Sequence, residues 1–226
     1  LDEISESAEE ESEDDEMYYG GYYYYTFKFA NNGDIVFSND NGMIYQLDPA
    51  SGEIKNEFVL DDSYISDFTT VGDSLVIVGG NSVKEYSLES GKELGNIKPL
   101  ESEVLYENNS NFYGISNIFS DDDKTIYYTS TTGLYKYKLG EKEVEQIIEG
   151  SLSSIGDDNM YISTFVVGKD NTFLACGQDY NSYEVGTSII RFTYSADTPK
   201  VPENQITVYS LYEDYNIRQN IVLFQK

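Results

Sequence analysis

The chain has 226 residues, 41 Asp+Glu against 14 Lys+Arg, a formal net charge of −27, no His, no Trp, one Cys and 22 Tyr. Lacking His, it excludes Ser–His and Cys–His catalysis and imidazole metal sites, and one Cys excludes an internal disulfide and multi-Cys zinc or iron–sulfur centres. The charge excludes nucleic acid and anionic membrane surfaces as partners, because both would repel it.

Residues 1–17, LDEISESAEEESEDDEM, hold ten acids and no base. Such a segment repels itself and has too little apolar surface to offset its ordering entropy, which predicts a disordered acidic tether. No apolar run approaches the ~18 residues needed to span a bilayer, so direct membrane insertion is not expected. No signal peptide is present either; any export signal is expected upstream of Leu1, in a longer precursor. The Tyr-rich stretch MYYGGYYYYTFKFA (17–30) predicts a strand that can join either end of the fold.

From residue 34 the chain repeats itself. DIVFSNDNGMIYQLDPASGE (34–53) aligns with SLVIVGGNSVKEYSLESGK (74–92), with TIYYTSTTGLYKYKLGEK (125–142), and more weakly with TFLACGQD (172–179) plus SIIRFTYSAD (188–197). Leu47, Tyr86, Tyr137 and Phe192 then occupy one equivalent position, 39, 51 and 55 residues apart. A period near 40 residues signals stacked supersecondary units. The second unit resolves into four strand-like runs, 64–71, 74–80, 82–88 and 92–97. The second run is continuously apolar, as for a strand covered on both faces, and the third alternates. Asn41-Gly42 predicts a tight hairpin, and Ser51-Gly52 and Ser90-Gly91 predict turns into the last strand. No window between residues 18 and 200 sustains helical spacing. Four-stranded units of this length predict an all-β fold, a β-propeller of about four four-stranded blades over residues 18–205. An open arc, a small closed ring and part of a larger ring all fit.

GMIYQLDPASGE (42–53) resembles the G-x-[IL]-Y-x-[LY]-D-x-x-[ST]-G-[EK] core of pyrroloquinoline-quinone-like and WD-type propeller repeats, and the likeness covers about residues 18–200. The Trp that closes such a repeat is missing, so Tyr and Phe are expected in its place. Asp48 of the motif becomes Ser87 and Lys138 in later copies. Nothing matches a quinone site, so no cofactor is expected.

The chain's carboxylates sit in turn-like sequences: Asp61-Asp62, Asp121-Asp122-Asp123 and Asp157-Asp158. There Asp caps its own backbone, and no sialidase-type Asp box or EF-hand loop is found. No metal and no catalytic residues are therefore expected. Cys176, within TFLACG, reads as a small buried hydrophobe. Two insertions fall in loop classes that open on the same face of a propeller: KPLESEVLYENNS (98–110) and GQDYNSYEVGT (177–187). Together they offer Tyr106, Asn108, Asn109, Asp179, Tyr180, Asn181, Tyr183 and Glu184. Aromatic rings beside planar amides and carboxylates suit a sugar, whose C–H face packs on a ring while its hydroxyls bond the polar groups.

Residues 206–226 open as a strand (206–212) and switch to helical spacing with Ile217, Ile221 and Phe224 on one face. This ending resembles the first strand and helix of the solute-binding lobe of ABC importers; 206–212 also fits the last strand of the fourth blade. With the acidic head, it resembles surface lipoproteins of Gram-positive bacteria that carry a propeller between a lipid-anchored tether and a solute-binding domain. The resemblance implies a non-catalytic, extracellular, cell-surface-anchored binding or scaffold module with a lipid anchor upstream. Its partners would be a small molecule or glycan, or other surface or transporter proteins. A protein-binding adhesion module and a carboxylate-dependent polysaccharide-active enzyme are the alternatives.

Overall fold

The computed structural model describes residues 26–39, 42–60, 65–104, 114–130, 132–157, 159–169, 172–180 and 186–193, with Ile217 and Asn220. The strands form four antiparallel sheets. The first holds β1 (Phe27–Phe29), β2 (Ile35–Ser38), β3 (Ile44–Leu47) and β4 (Ile54–Phe58). The second holds β5 (Ile65–Val71), β6 (Ser74–Gly79), β7 (Val83–Ser87) and β8 (Glu93–Asn96). The third holds β9 (Asn117–Ser120), β10 (Thr125–Ser130), β11 (Gly133–Lys138) and β12 (Val144–Glu149). In the fourth, the described strands are β13 (Met160–Val167), β14 (Thr172–Asp179) and β15 (Thr187–Thr193). Strands within each sheet follow chain order, and the first strands of successive sheets lie side by side. This is the architecture of a four-blade β-propeller.

The repeat alignment is reproduced as register. Leu47 pairs with Ile35, Tyr86 with Leu75, Tyr137 with Ile126, and Phe192 with Phe173. The Ser-Gly turns match as well: Gly52 and Gly91 adopt φ of 79° and 70°, and their amides donate to the Asp48 and Ser87 carbonyls at 2.8 and 2.9 Å. Gly is needed there because L side chains avoid that left-handed region. The apolar runs of β6 and β10 are buried along their whole length, as strands sandwiched between neighbouring sheets must be.

Three apolar layers fill the spaces between sheets. Val36, Ile44 and Phe58 of the first sheet meet Phe68, Leu75, Ile77 and Tyr86 of the second. Val76, Val78 and Val83 meet Ile118, Ile126, Tyr128 and Tyr137, and Phe119, Tyr127 and Leu134 meet Phe165, Phe173 and Ala175. Aromatic rings pack between the sheets: Phe58 packs edge-on to Tyr86 (5.6 Å), Phe119 stacks on Phe165 (5.7 Å), and Tyr127 meets Phe173 edge-on (5.4 Å). Polar contacts between inner strands fix the sheet order. Thr70 Oγ1 donates to the Phe29 carbonyl (2.9 Å), the Ile118 amide to Asp67 Oδ2 (2.9 Å), and Asn117 Nδ2 to the Ile162 carbonyl (3.3 Å).

Two expectations are corrected. Part of the 98–110 insertion is not a loop: Lys98–Val104 forms a helix, α1, and Leu100 is fully buried between the second and third sheets. Pro99 fits its first turn, where a missing N–H leaves no bond unmade. Cys176 is half-buried rather than in the core, on the face of β14 that turns away from the third sheet. Ile217 and Asn220 are helical, in line with the helical spacing at the chain's end. The 1–17 tether, residues 17–25 and the 206–212 strand lie outside the described residues.

Candidate functional site

Antiparallel order divides the connections between two ends of the propeller. Turns joining strands two and three of a sheet share one end with the links from each sheet to the next. Turns joining strands one and two, and three and four, share the other. The two insertions singled out in the sequence therefore open at one end, as expected: α1 lies between β8 and β9, and residues 180–186 lie between β14 and β15.

At that end the third and fourth sheets present a polar surface. Tyr135 stacks on Tyr128 (5.1 Å between centroids), and its hydroxyl lies 2.7 Å from Thr132 Oγ1. Gln146 Nε2 donates to the Tyr135 hydroxyl (3.2 Å) and the Thr132 carbonyl (3.0 Å). Gly133 is required beside them: it holds φ of 150°, and a Cβ there would sit 2.0 Å from the Ile148 carbonyl. After β12 the chain makes two short 3₁₀ turns, the second capped by Ser153 Oγ, which accepts from the Ile155 amide (3.3 Å). Buried Asp157 then accepts the Asn159 amide (3.1 Å), the turn-forming role expected of such acids.

Tyr180 follows directly. Its amide donates to the Asn159 carbonyl (2.8 Å), its hydroxyl donates to Gln178 Oε1 (2.7 Å), and its ring is exposed. Backbone and side chain are thus both held while the ring face stays open. Asp179, the last residue of β14, is half-buried and pairs with Met160. Of the candidate residues, the structure describes these two; Tyr106, Asn108, Asn109, Asn181, Tyr183 and Glu184 lie outside the described residues.

Among the described residues, the buried carboxylates serve as backbone and side-chain acceptors. Burial pushes the half-buried Asp67 carboxyl up, although Lys28 and the Ile118 and Phe68 amides pull it down. Both of its oxygens accept those two amides, so it acts as a structural acceptor. Burial also raises Asp121, helped by repulsion from Asp122, but it lies at the opposite end in the β9–β10 turn. Burial likewise opposes ionisation of Asp122, yet donation from Lys124 and Thr125 outweighs it and holds that carboxyl low. Among the described residues no three carboxylates or thiols come together as metal ligands.

The opposite end holds a feature the sequence reading missed. Ala30, Asn31, Asn32, Gly72, Asp73, Leu88 and Glu89 line a cavity of about 270 Å³ between the first and second sheets. Asn31 Nδ2 bridges on to Asp123 Oδ1 (2.6 Å), and Gly72 approaches the Asp123 carbonyl so closely that a Cβ would lie 2.7 Å away. The available signal was an Asp at every connection between strands one and two, joined by Gly or Asn in three of the four.

These features define a four-blade β-propeller with polar groups at its ends. No protein-family model and no curated protein sequence matches the chain. Solved propellers are similar in shape. The β-propeller domain of Cps50 (Swd1) from Myceliophteria thermophila aligns over 70% of this chain and 52% of its own, at 9% identity and a TM-score of 0.45. BamB from Moraxella catarrhalis aligns over 77% and 45%, at 12% identity and 0.47. The computationally designed Ika4 protein aligns over 76% and 92%, at 11% identity and 0.47. The chain spans about half the length of the Swd1 and BamB chains.

Proposed function

We propose that the chain is a non-catalytic binding and scaffold module, the propeller part of an extracellular lipoprotein that serves an ABC importer and binds carbohydrate at the end carrying Tyr180. The observation that supports this reading most is the open Tyr180 ring, fixed by Gln178 and Asn159, at the same end of the propeller as the hydroxyl and amide groups of Thr132, Tyr135 and Gln146. A rigid ring held by a planar amide suits a sugar face and costs little side-chain entropy on binding. The absence of His and the roles of Asp67, Asp122 and Asp157 as backbone acceptors support the non-catalytic part.

A glycan array tests the carbohydrate reading. Tyr180→Ala and Tyr183→Ala should each weaken binding while leaving the melting temperature nearly unchanged. No binding of any glycan by the unsubstituted protein overturns it. Hydrolysis of a glycan panel would instead support the polysaccharide-active alternative. Protein partners at the cell surface remain the second reading, supported by the exposed Tyr161 ring on β13. Cross-linking on intact cells, followed by identification of the captured transporter or surface protein, tests both that reading and the extracellular placement.

A further inference from the structure

The internal repeat shows what is particular about the cavity between the first and second sheets. At the next junction, between the second and third sheets, Val71 holds the last position before the β5–β6 turn and belongs to the apolar layer against which Leu139 packs. The equivalent residue at the first junction is Ala30, whose amide donates to the Asp34 carbonyl across the β1–β2 turn (2.9 Å). Two further bonds fix the other equivalences: the Leu88 amide donates to the Asp73 carbonyl (3.0 Å) as the Leu139 amide does to the Lys124 carbonyl (2.8 Å). Asp73 thus stands where the next junction has Lys124, Glu89 where it has Gly140, and Gly72 where it has Asp123. A smaller side chain opens the space, and an acid replaces the base. No basic residue lines the cavity.

The walls are fixed by bonds that leave those acids unused. Asn56 Nδ2 holds the Leu88 carbonyl (2.8 Å). Asn32 is held at both ends of its amide, Nδ2 donating to Asp34 Oδ2 (2.8 Å) and Oδ1 accepting the Asp34 amide (3.0 Å). Asn31 spends Nδ2 on Asp123, which leaves its Oδ1 as an acceptor. In the first sheet Lys55 pairs with Asp34 and Asp48, whereas Asp73 and Glu89 make no ion pair with a described residue. Ala30 and Leu88 supply an apolar floor, being members of one buried cluster. We propose that this cavity binds a primary alkylammonium group. Its three N–H donors match the Asp73 and Glu89 carboxylates and Asn31 Oδ1, and its alkyl stem packs on Ala30 and Leu88. A divalent cation fits less well, since it wants six or more oxygens and no three carboxylates come together among the described residues. A volume of about 270 Å³ falls just below the roughly 300–1,000 Å³ of drug-sized ligand sites, which suits a short amine. A free amine and a lysine side chain of another protein both present this group. The site lies at the end opposite Tyr180 and does not depend on the carbohydrate reading.

Titration of the isotope-labelled 226-residue chain with n-butylammonium chloride, followed by amide NMR shifts, tests it. The amides of Asn31, Gly72, Asp73 and Glu89 should shift and saturate with a roughly millimolar Kd, as one amine held by exposed carboxylates allows. Sodium chloride at equal ionic strength should give no saturable shift. Asp73→Asn and Glu89→Gln should each raise the Kd by about 2- to 5-fold, the effect of losing an exposed ion pair. Ala30→Val, which restores the side chain of the next junction, should fill the cavity and abolish saturation. Circular dichroism checks that each variant is folded, and the two exposed acid variants decide the matter if Ala30→Val is not. A capped Gly-Gly-Lys-Gly-Gly peptide separates the sources: binding as tight as that of butylammonium supports a protein lysine, and weaker binding supports a free amine. An unsubstituted chain without saturable shifts overturns the proposal, as do shifts that sodium chloride reproduces or that survive unchanged in every folded variant.

Discussion

Asp34→Asn removes one charge from a network that ties the β1–β2 turn of the first blade to β3 and β4. Asp34 is buried, and its carboxylate accepts from Lys55 Nζ (2.7 Å), Gln46 Nε2 (2.7 Å) and Asn32 Nδ2 (2.8 Å). Gln46 is itself buried, and its Oε1 accepts from Asn56, which also donates to the Leu88 carbonyl of the second blade (2.8 Å each). An Asn at 34 keeps one acceptor oxygen and turns an NH₂ toward these donors, stranding a buried amide at a cost of roughly 1–3 kcal/mol. For a chain of this size each kcal/mol shifts Tm by about 2–4 °C, so the expected drop is roughly 2–12 °C. The pH dependence carries the mechanism. Burial opposes ionisation of Asp34, but the bonds from Lys55, Gln46 and Asn32 outweigh it and hold the native pKa below the ordinary value. A depressed carboxylate contributes stability above its unfolded pKa, near pH 4, and loses it as pH falls through the native value. The gap between the unsubstituted protein and the variant should therefore be full at pH 7 and shrink toward pH 3. Urea unfolding followed by tyrosine fluorescence, in a chain with 22 Tyr and no Trp, measures it at each pH. An equal gap at pH 7 and pH 3 would refute the ionic account.

Asp67→Asn should do the reverse on the acid side. Burial raises the native pKa of Asp67, so its contribution is fullest below about pH 4 and falls as pH rises through the native value; removing it steepens the acid-side loss of stability in the same urea series. Leu100→Ala opens a cavity between the second and third blades and should cost about 2–5 kcal/mol, read as a lower urea midpoint at unchanged m-value. Gly133→Ala should prevent stable folding, because its Cβ would overlap the Ile148 carbonyl. Gly52→Ala, with a positive φ but open space around it, should cost only about 1 kcal/mol by thermal melting.

The blade repeat was legible because apolar alternation and turn chemistry are local. Leu47 and Tyr86 could be aligned from the Ser-Gly turns that follow them, and Tyr137 and Phe192 from the alternating strand strings around them, and the register confirms each of them. Helix α1 escaped notice because seven residues cannot display a helical period; burial of Leu100 stabilises it, as tertiary packing must for so short a helix. Of the proposed sugar face, Tyr180 could be seen as a loop tyrosine, whereas its tether to Gln178 and Asn159 could not. The cavity at the other end draws on turns some 40 residues apart, and only folding brings Asn31 and Asp73 together.

The sequence by itself determined the strands, their order and the turns between them, since each depends on residues within a few positions of one another. It also determined which chemistries are absent, because no fold can supply a missing His. Tertiary structure decided which side of each sheet meets a neighbour. Cys176 and Ile189 show why: an alternating strand specifies two faces, but which one is covered depends on whether another sheet stands beside it.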